Sequence, residues 1–192
     1  MPLTVEHLTK IIQVAILAAI SYVLTLFAFP VIPIVPYLKL DLSDLPILVG
    51  TVVLGISAGA SIAGVTTLLH LLMSGLSLPA IIGDSLMFIS ALTLVLTVGL
   101  LISWYRRQPA WSRKLLLIML LTLNLTVIMA ITNLGAIPLY MKIAGMTIQL
   151  PVTKLIEFGV VPFNLIKGTV VGILFVFIDR YLQRSKRFQR NY

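Results

Sequence analysis

Long apolar runs set the elements of this chain before any motif does. A membrane-crossing helix needs about 20 mostly apolar residues. The first such run covers residues 9–29 and stops before Pro30. No small-residue cleavage site follows it, and it is long enough to cross, so it reads as a span and not as a signal peptide. Three further runs are equally clear, at residues 85–104, 115–137 and 159–178. The block at 45–73 is different: too long for one ordinary span and short for two. Gly50, Gly55, Gly59 and Gly64 interrupt it, and Gly55-Ile-Ser-Ala-Gly59 reads as a turn.

The placement of charge decides that block. Arg106, Arg107, Arg113 and Lys114 share one short loop, and Arg180, Arg184, Lys186, Arg187 and Arg190 crowd the tail. Lys and Arg in short loops mark the cytoplasmic side. With two helices in the 45–73 block, Lys10, the basic loop and the basic tail all face inside. Lys39, Lys142 and Lys154 then face outside, and Lys167 lies within a span. The expectation is an all-α membrane protein of six transmembrane helices in one domain over residues 1–192, with both termini cytoplasmic. The tail from Arg180 on reads as a frayed helix end drawn to anionic lipid.

Composition agrees. Of 192 residues, 59% are hydrophobic and 10% charged, with 14 Lys and Arg against 6 Asp and Glu. A soluble domain carries about 45–50% apolar and about 25% charged residues, so a soluble fold is excluded. The net charge of +8 is explained by its sidedness. No basic face alternates with aromatic platforms, so no nucleic-acid partner is expected. The chain has no cysteine, which removes thiol nucleophiles, thiolate metal sites and disulfides. There is no P-loop, no HExxH, no GxSxG and no paired carboxylates inside a span. An ATPase, a hydrolase, a resident metal and a proton-coupled carrier are all disfavoured. So is an inverted-repeat carrier, because the hydropathy shows no clear repeat.

The polar residues that demand a reason gather toward the outer side. The first loop carries Pro30, Pro33 and Pro36, then Tyr37-Leu-Lys-Leu-Asp-Leu-Ser-Asp-Leu-Pro46. Its prolines exclude helix, and Leu38 and Leu40 alternate with polar residues in an extended pattern. So stiff and apolar a loop suits a lid, expected over residues 33–40 and anchored by Leu38 and Leu40. Ser43 or Asp44 can cap the next helix, with Pro46 in its first turn. Asp84 has the same ordinary use before the fourth span, and His70 lies near the outer end of the third. In the last span Asn164 and Lys167 stand three apart on one face. A lysine at that depth costs about 2.5–3.5 kcal/mol to insert, so a polar pocket shared with Asn164 and Asn133 is expected. Asn124, deeper in the fifth helix, reads as a helix–helix hydrogen bond. Ala15 and Ala19 form a small-xxx-small pair that lets another helix approach closely.

Together these residues resemble the substrate-binding S components of energy-coupling factor (ECF) vitamin transporters, with the nearest likeness to the riboflavin-binding branch. The likeness rests on Tyr37–Pro46 after the first helix, Ile137-Pro-Leu-Tyr140 after the fifth, Val161-Pro-Phe-Asn-Leu-Ile-Lys-Gly168 in the sixth, and the Ala15/Ala19 pair. It covers nearly the whole chain. The resemblance implies a six-helix, multi-pass cell-membrane protein that binds a water-soluble vitamin near the outer side beneath the first loop. It implies Asn164, Lys167 and Asn133 as vitamin contacts, with Leu38, Leu40, His70 and Asp84 as further candidates. It also implies a transmembrane coupling subunit meeting Ala15 and Ala19, and two ATPase subunits that consume the ATP. The chain itself is then no enzyme and carries no cofactor. Leu68–Pro79 is more apolar than a riboflavin site suggests, and Leu134-Gly135 replaces an expected aromatic after Asn133. Riboflavin is therefore expected first, with pantothenate or a pyridoxine-like vitamin as the alternative, and an autonomous secondary carrier behind both.

Overall fold

In the computed structural model, residues 5–35, 37–107, 111–145 and 150–189 are described; the side chains of 144 and 185–189 are not. Helix α1 (Val5–Thr25) leads into two short strands, β1 (Phe29–Pro30) and β2 (Lys39–Leu40), which pair antiparallel. Helices α2 (Asp44–Leu54), α3 (Ile56–Ser74), α4 (Leu78–Arg106) and α5 (Trp111–Ala144) follow. The last helical segment starts with α6 (Val152–Leu155), passes through a π-helical turn at Ile156–Val160, and runs on as α7 (Val161–Gln189).

Among the described residues, five helical segments are long and apolar enough to cross a membrane. The divided block does hold two helices, but unequal ones. Helix α2 has 11 residues, about 16 Å of axial rise against a hydrocarbon core of about 30 Å. Its end is set by Gly55, whose φ of 101° lies in a region that L side chains rarely adopt. The chain reverses at that single residue, because Ile56–Ser74 is already helical; the turn is narrower than Gly55–Gly59. Gly50 then lies against Ile62, and Gly59 against Thr51, so α2 and α3 form a close hairpin.

Several helix ends differ from the apolar runs. Helix α1 ends at Thr25, and Phe29 belongs to β1. Helix α4 begins at Leu78, with the Ser77 hydroxyl accepting from the Ala80 N–H and Pro79 in the first turn. Asp84 is consequently inside α4 and does not cap it. The final segment begins a full seven residues before Gly159, because backbone hydrogen bonding continues through residues too polar to count as a span. Gln189 is still helical; residues 190–192 of the expected frayed end lie outside the described residues.

Helix α5 packs on α4 and α7. Gly168 sits on Thr122 and Gly172 on Ile118, which fixes an antiparallel register. The main core joins Leu48, Leu94, Val98, Leu117, Leu121, Leu125, Val160 and Phe175, and a second cluster joins Ala18, Ile47, Ile62, Ala63, Ala91 and Val95. Helix α1 is the most peripheral span: 17% of its apolar window is buried, against 44% for the last segment.

Candidate functional site

The buried centre of the site is an ion pair. Lys167 Nζ lies 2.9 Å from Asp44 Oδ2 and 3.3 Å from the Ser90 hydroxyl, which can accept from it. The three side chains come from α7, α2 and α4. All three residues are buried, Asp44 at 3% and Lys167 at 7% exposure, so Lys167 does not snorkel to the surface. The contact is a close ion pair, coulombic above all, in a site that both residues share out of water.

The two amides expected beside Lys167 are buried as well. Asn164 donates through Nδ2 to the Val160 carbonyl at 2.8 Å, and Asn133 donates through Nδ2 to the Met129 carbonyl at 2.8 Å. Val160 ends the π-helical turn, and Pro162 supplies no N–H just beyond it, so this stretch of backbone is short of regular donors. Asn133 is 1% exposed, and its Oδ1 is buried without a donor. Extending the α5–α7 register brings Asn133 level with the π-helical turn, outward of Lys167. Asn164 and Lys167 are thus neighbours on one helix, and Asn133 faces the same region from α5.

The first loop closes over this end of the bundle, but through a residue the sequence did not single out. Val35 has no exposure at all. Its side chain rests where Gly159 has no Cβ: an added methyl would collide with Val35 Cγ1. Leu40 is buried, and Leu38 is half-buried against the main core. Pro36, within the expected lid, lies outside the described residues. Tyr37 stacks on Tyr140 with centroids 6.5 Å apart and 20° between planes. Burial, then the neighbouring Tyr140, push the Tyr37 phenol above its ordinary pKa. At the base of the loop the Asp41 carboxylate accepts from the Ser43 N–H at 2.7 Å, and the Ser43 carbonyl accepts from Ser21 at 2.7 Å. Ser43 caps α2 without a side-chain bond. The capping use foreseen for Asp44 is replaced by its pairing with Lys167.

His70 and Asp84 form a separate pair, with Nδ1 and Oδ1 2.6 Å apart across α3 and α4. Six residues separate Asp84 from Ser90, about 9 Å of rise and 240° of rotation, so this pair opens on a different face of α4 from Lys167. Asn124 donates to the Thr97 hydroxyl at 2.6 Å, a link between α5 and α4. Ala15 and Ala19 are exposed on α1, while Ala18 between them is fully buried. A signal for Asp44 was present in the sequence. A carboxylate adjoining an apolar run needs a cation, and Lys167 is the lysine inside a span. The burial of Val35 had no such signal, because it depends on the distant Gly159.

Residues 9–178 match the family model described as ECF transporter, substrate-specific component. The riboflavin transporter RibU of Streptococcus thermophilus is 33% identical over 172 residues, covering 88% of this chain and 80% of the relative. The riboflavin transporter RibU of Staphylococcus aureus is 31% identical over 182 residues, covering 94% and 93%. A solved structure described as the S component of a bacterial ECF transporter superposes with a TM-score of 0.74 at 30% identity, covering 92% of this chain and 96% of the other.

Proposed function

This chain belongs to the family of ECF transporter substrate-specific components, and from that premise we propose that it is the riboflavin-binding subunit of an ATP-driven importer in the cell membrane. It takes the vitamin from the outer side and passes it inward together with a transmembrane coupling subunit and two ATP-hydrolysing subunits. The chain supplies binding and no catalysis. The vitamin is cargo, no cofactor is required, and the ATP is consumed by the partners. Both termini lie on the cytoplasmic side, where the basic loop and tail belong.

One observation carries the assignment: an acceptor without a donor, Asn133 Oδ1, and a donor centre, Lys167, are both buried under an apolar loop. A buried unpaired amide oxygen costs about 1–3 kcal/mol. A ligand that carries both an N–H donor and carbonyl acceptors can answer both groups, the N–H to Asn133 and a carbonyl to Lys167. The isoalloxazine ring of riboflavin carries both kinds of group, and its flat body suits the aromatic and aliphatic cover formed by Tyr37, Val35 and Leu40. The two relatives named above are riboflavin transporters.

The test is direct. Protein purified in detergent from riboflavin-containing medium is denatured, and the released molecule is identified by absorbance and mass. A yellow supernatant holding riboflavin in near-equal proportion to protein is expected. A colourless preparation that releases pantothenate would overturn the assignment.

A further inference from the structure

The sequence makes Lys167 an isolated cation in a membrane span, a group that attracts anions. The structure gives it a counter-charge. Asp44 lies 2.9 Å away, and both residues are more than nine-tenths buried. Asp41, half-buried at the loop base, adds a second carboxylate within electrostatic reach of both Asp44 and Lys167. Lys39, the other charged group of β2 and the loop base, is exposed to solvent. The buried charge facing a ligand is therefore neutral to slightly negative.

We propose that Asp44 is the charge-selectivity determinant of this site, admitting uncharged flavins and rejecting anionic ones. The proposal rests on the riboflavin assignment and deepens it. A buried ammonium without a counter-ion would draw in carboxylates and phosphates, because low-dielectric surroundings strengthen coulombic attraction. An ammonium held by a carboxylate still donates hydrogen bonds to a neutral carbonyl, but an incoming anion meets Asp44 as well as Lys167. Rejection by an unmatched charge is a recognised route to specificity. Ser90 fixes the ammonium from α4, so the positive group stays in reach of the ligand while its net attraction for anions is cancelled.

The test compares two probes of similar size, 10-(2-hydroxyethyl)flavin, which is neutral, and 10-(carboxymethyl)flavin, which is anionic. Equilibrium dialysis gives the ratio of their dissociation constants. The wild-type chain is expected to bind the anionic probe about tenfold or more weakly, and Asp44→Asn is expected to narrow that ratio about tenfold. Asp44→Glu, which keeps the charge, should leave the ratio near the wild-type value. A purely structural role for Asp44 would weaken both probes alike and leave the ratio unchanged, which overturns the proposal. If Asp44→Asn yields no folded protein, Asp44→Ser removes the same charge with a smaller polar side chain and reads the same ratio, and an unchanged ratio overturns the proposal. A wild-type chain that binds neither the neutral probe nor riboflavin overturns the riboflavin assignment and this proposal with it. Riboflavin binding with an Asp44-independent ratio overturns this proposal alone.

Discussion

Lys167 is the residue whose meaning changes most between sequence and structure. Its depth in an apolar helix and its spacing from Asn164 were legible, because insertion of an ammonium is costly enough to demand a polar purpose. Its counter-ion was only half legible: a carboxylate adjoining an apolar run calls for a cation, but Asp44 is 123 positions away by number and has an ordinary capping use at the head of α2. On sequence grounds alone, removing the lysine should steady the fold by deleting a costly charge. The Asp44 contact reverses that sign. Lys167→Met leaves a buried carboxylate without its cation, which costs about 3–5 kcal/mol. The variant is expected to bind riboflavin about one to two orders of magnitude more weakly, from loss of a charge-assisted hydrogen bond. It is also expected to unfold at a lower temperature. Adding Asp44→Asn to it should recover thermal stability without recovering affinity. Riboflavin titration and thermal denaturation in detergent, run on the single and double variants, separate the two effects. Affinity within twofold of wild type in Lys167→Met would remove the lysine from the site.

At the scale of elements, the hydrophobic pattern located the helices but not their ends. Leu78–Asp84 extends α4 beyond its expected start because the Ser77 cap and Pro79 begin the helix in a stretch interrupted by Gly83 and Asp84. The short α2 follows from Gly55, a backbone requirement that hydropathy does not register. The first loop was legible as stiff and apolar from its prolines. What holds it down was not legible, because Val35 is buried by a glycine in a π-helical turn more than 120 residues later. That contact makes the loop testable without deletion. Val35→Ala removes two methyl groups from the seal, worth about 1.5 kcal/mol at about 0.8 kcal/mol per buried carbon. If the loop closes over bound vitamin, the dissociation rate should rise about tenfold, with little change in the association rate. Gly159→Ala should act in the same direction, since its methyl needs the space that Val35 fills. Stopped-flow chase of bound riboflavin with excess unlabelled ligand measures both. Unchanged dissociation in both variants would make the loop a connector.

At the scale of the whole molecule, the bundle is asymmetric in what it leaves uncovered. Helix α1 contributes little to the core, and Ala18 faces inward while Ile12, Ala15, Ile16, Ala19, Ile20 and Val23 are exposed. Lipid can cover such a face, so exposure alone assigns no partner. The distinguishing feature is the pair of small residues within it, which lowers the surface enough for another helix backbone to come close. Both alanines lie on the exposed face of α1, whereas Ser21, buried on the opposite face, is the α1 residue that bonds the base of the first loop. Binding and coupling can therefore be broken apart. Ala15→Trp or Ala19→Trp is expected to leave riboflavin affinity of the isolated chain within about twofold, because neither side chain packs internally. The same substitutions should abolish ATP-driven uptake by the assembled complex, since an indole holds the two helices apart by more than close packing tolerates. Affinity is measured on the purified chain, and uptake in cells or proteoliposomes that also carry its coupling and ATPase partners. Uptake that survives both substitutions would place the coupling contact on another face. Lost affinity in the isolated chain would mean that α1 packs more tightly in the membrane than its exposure indicates.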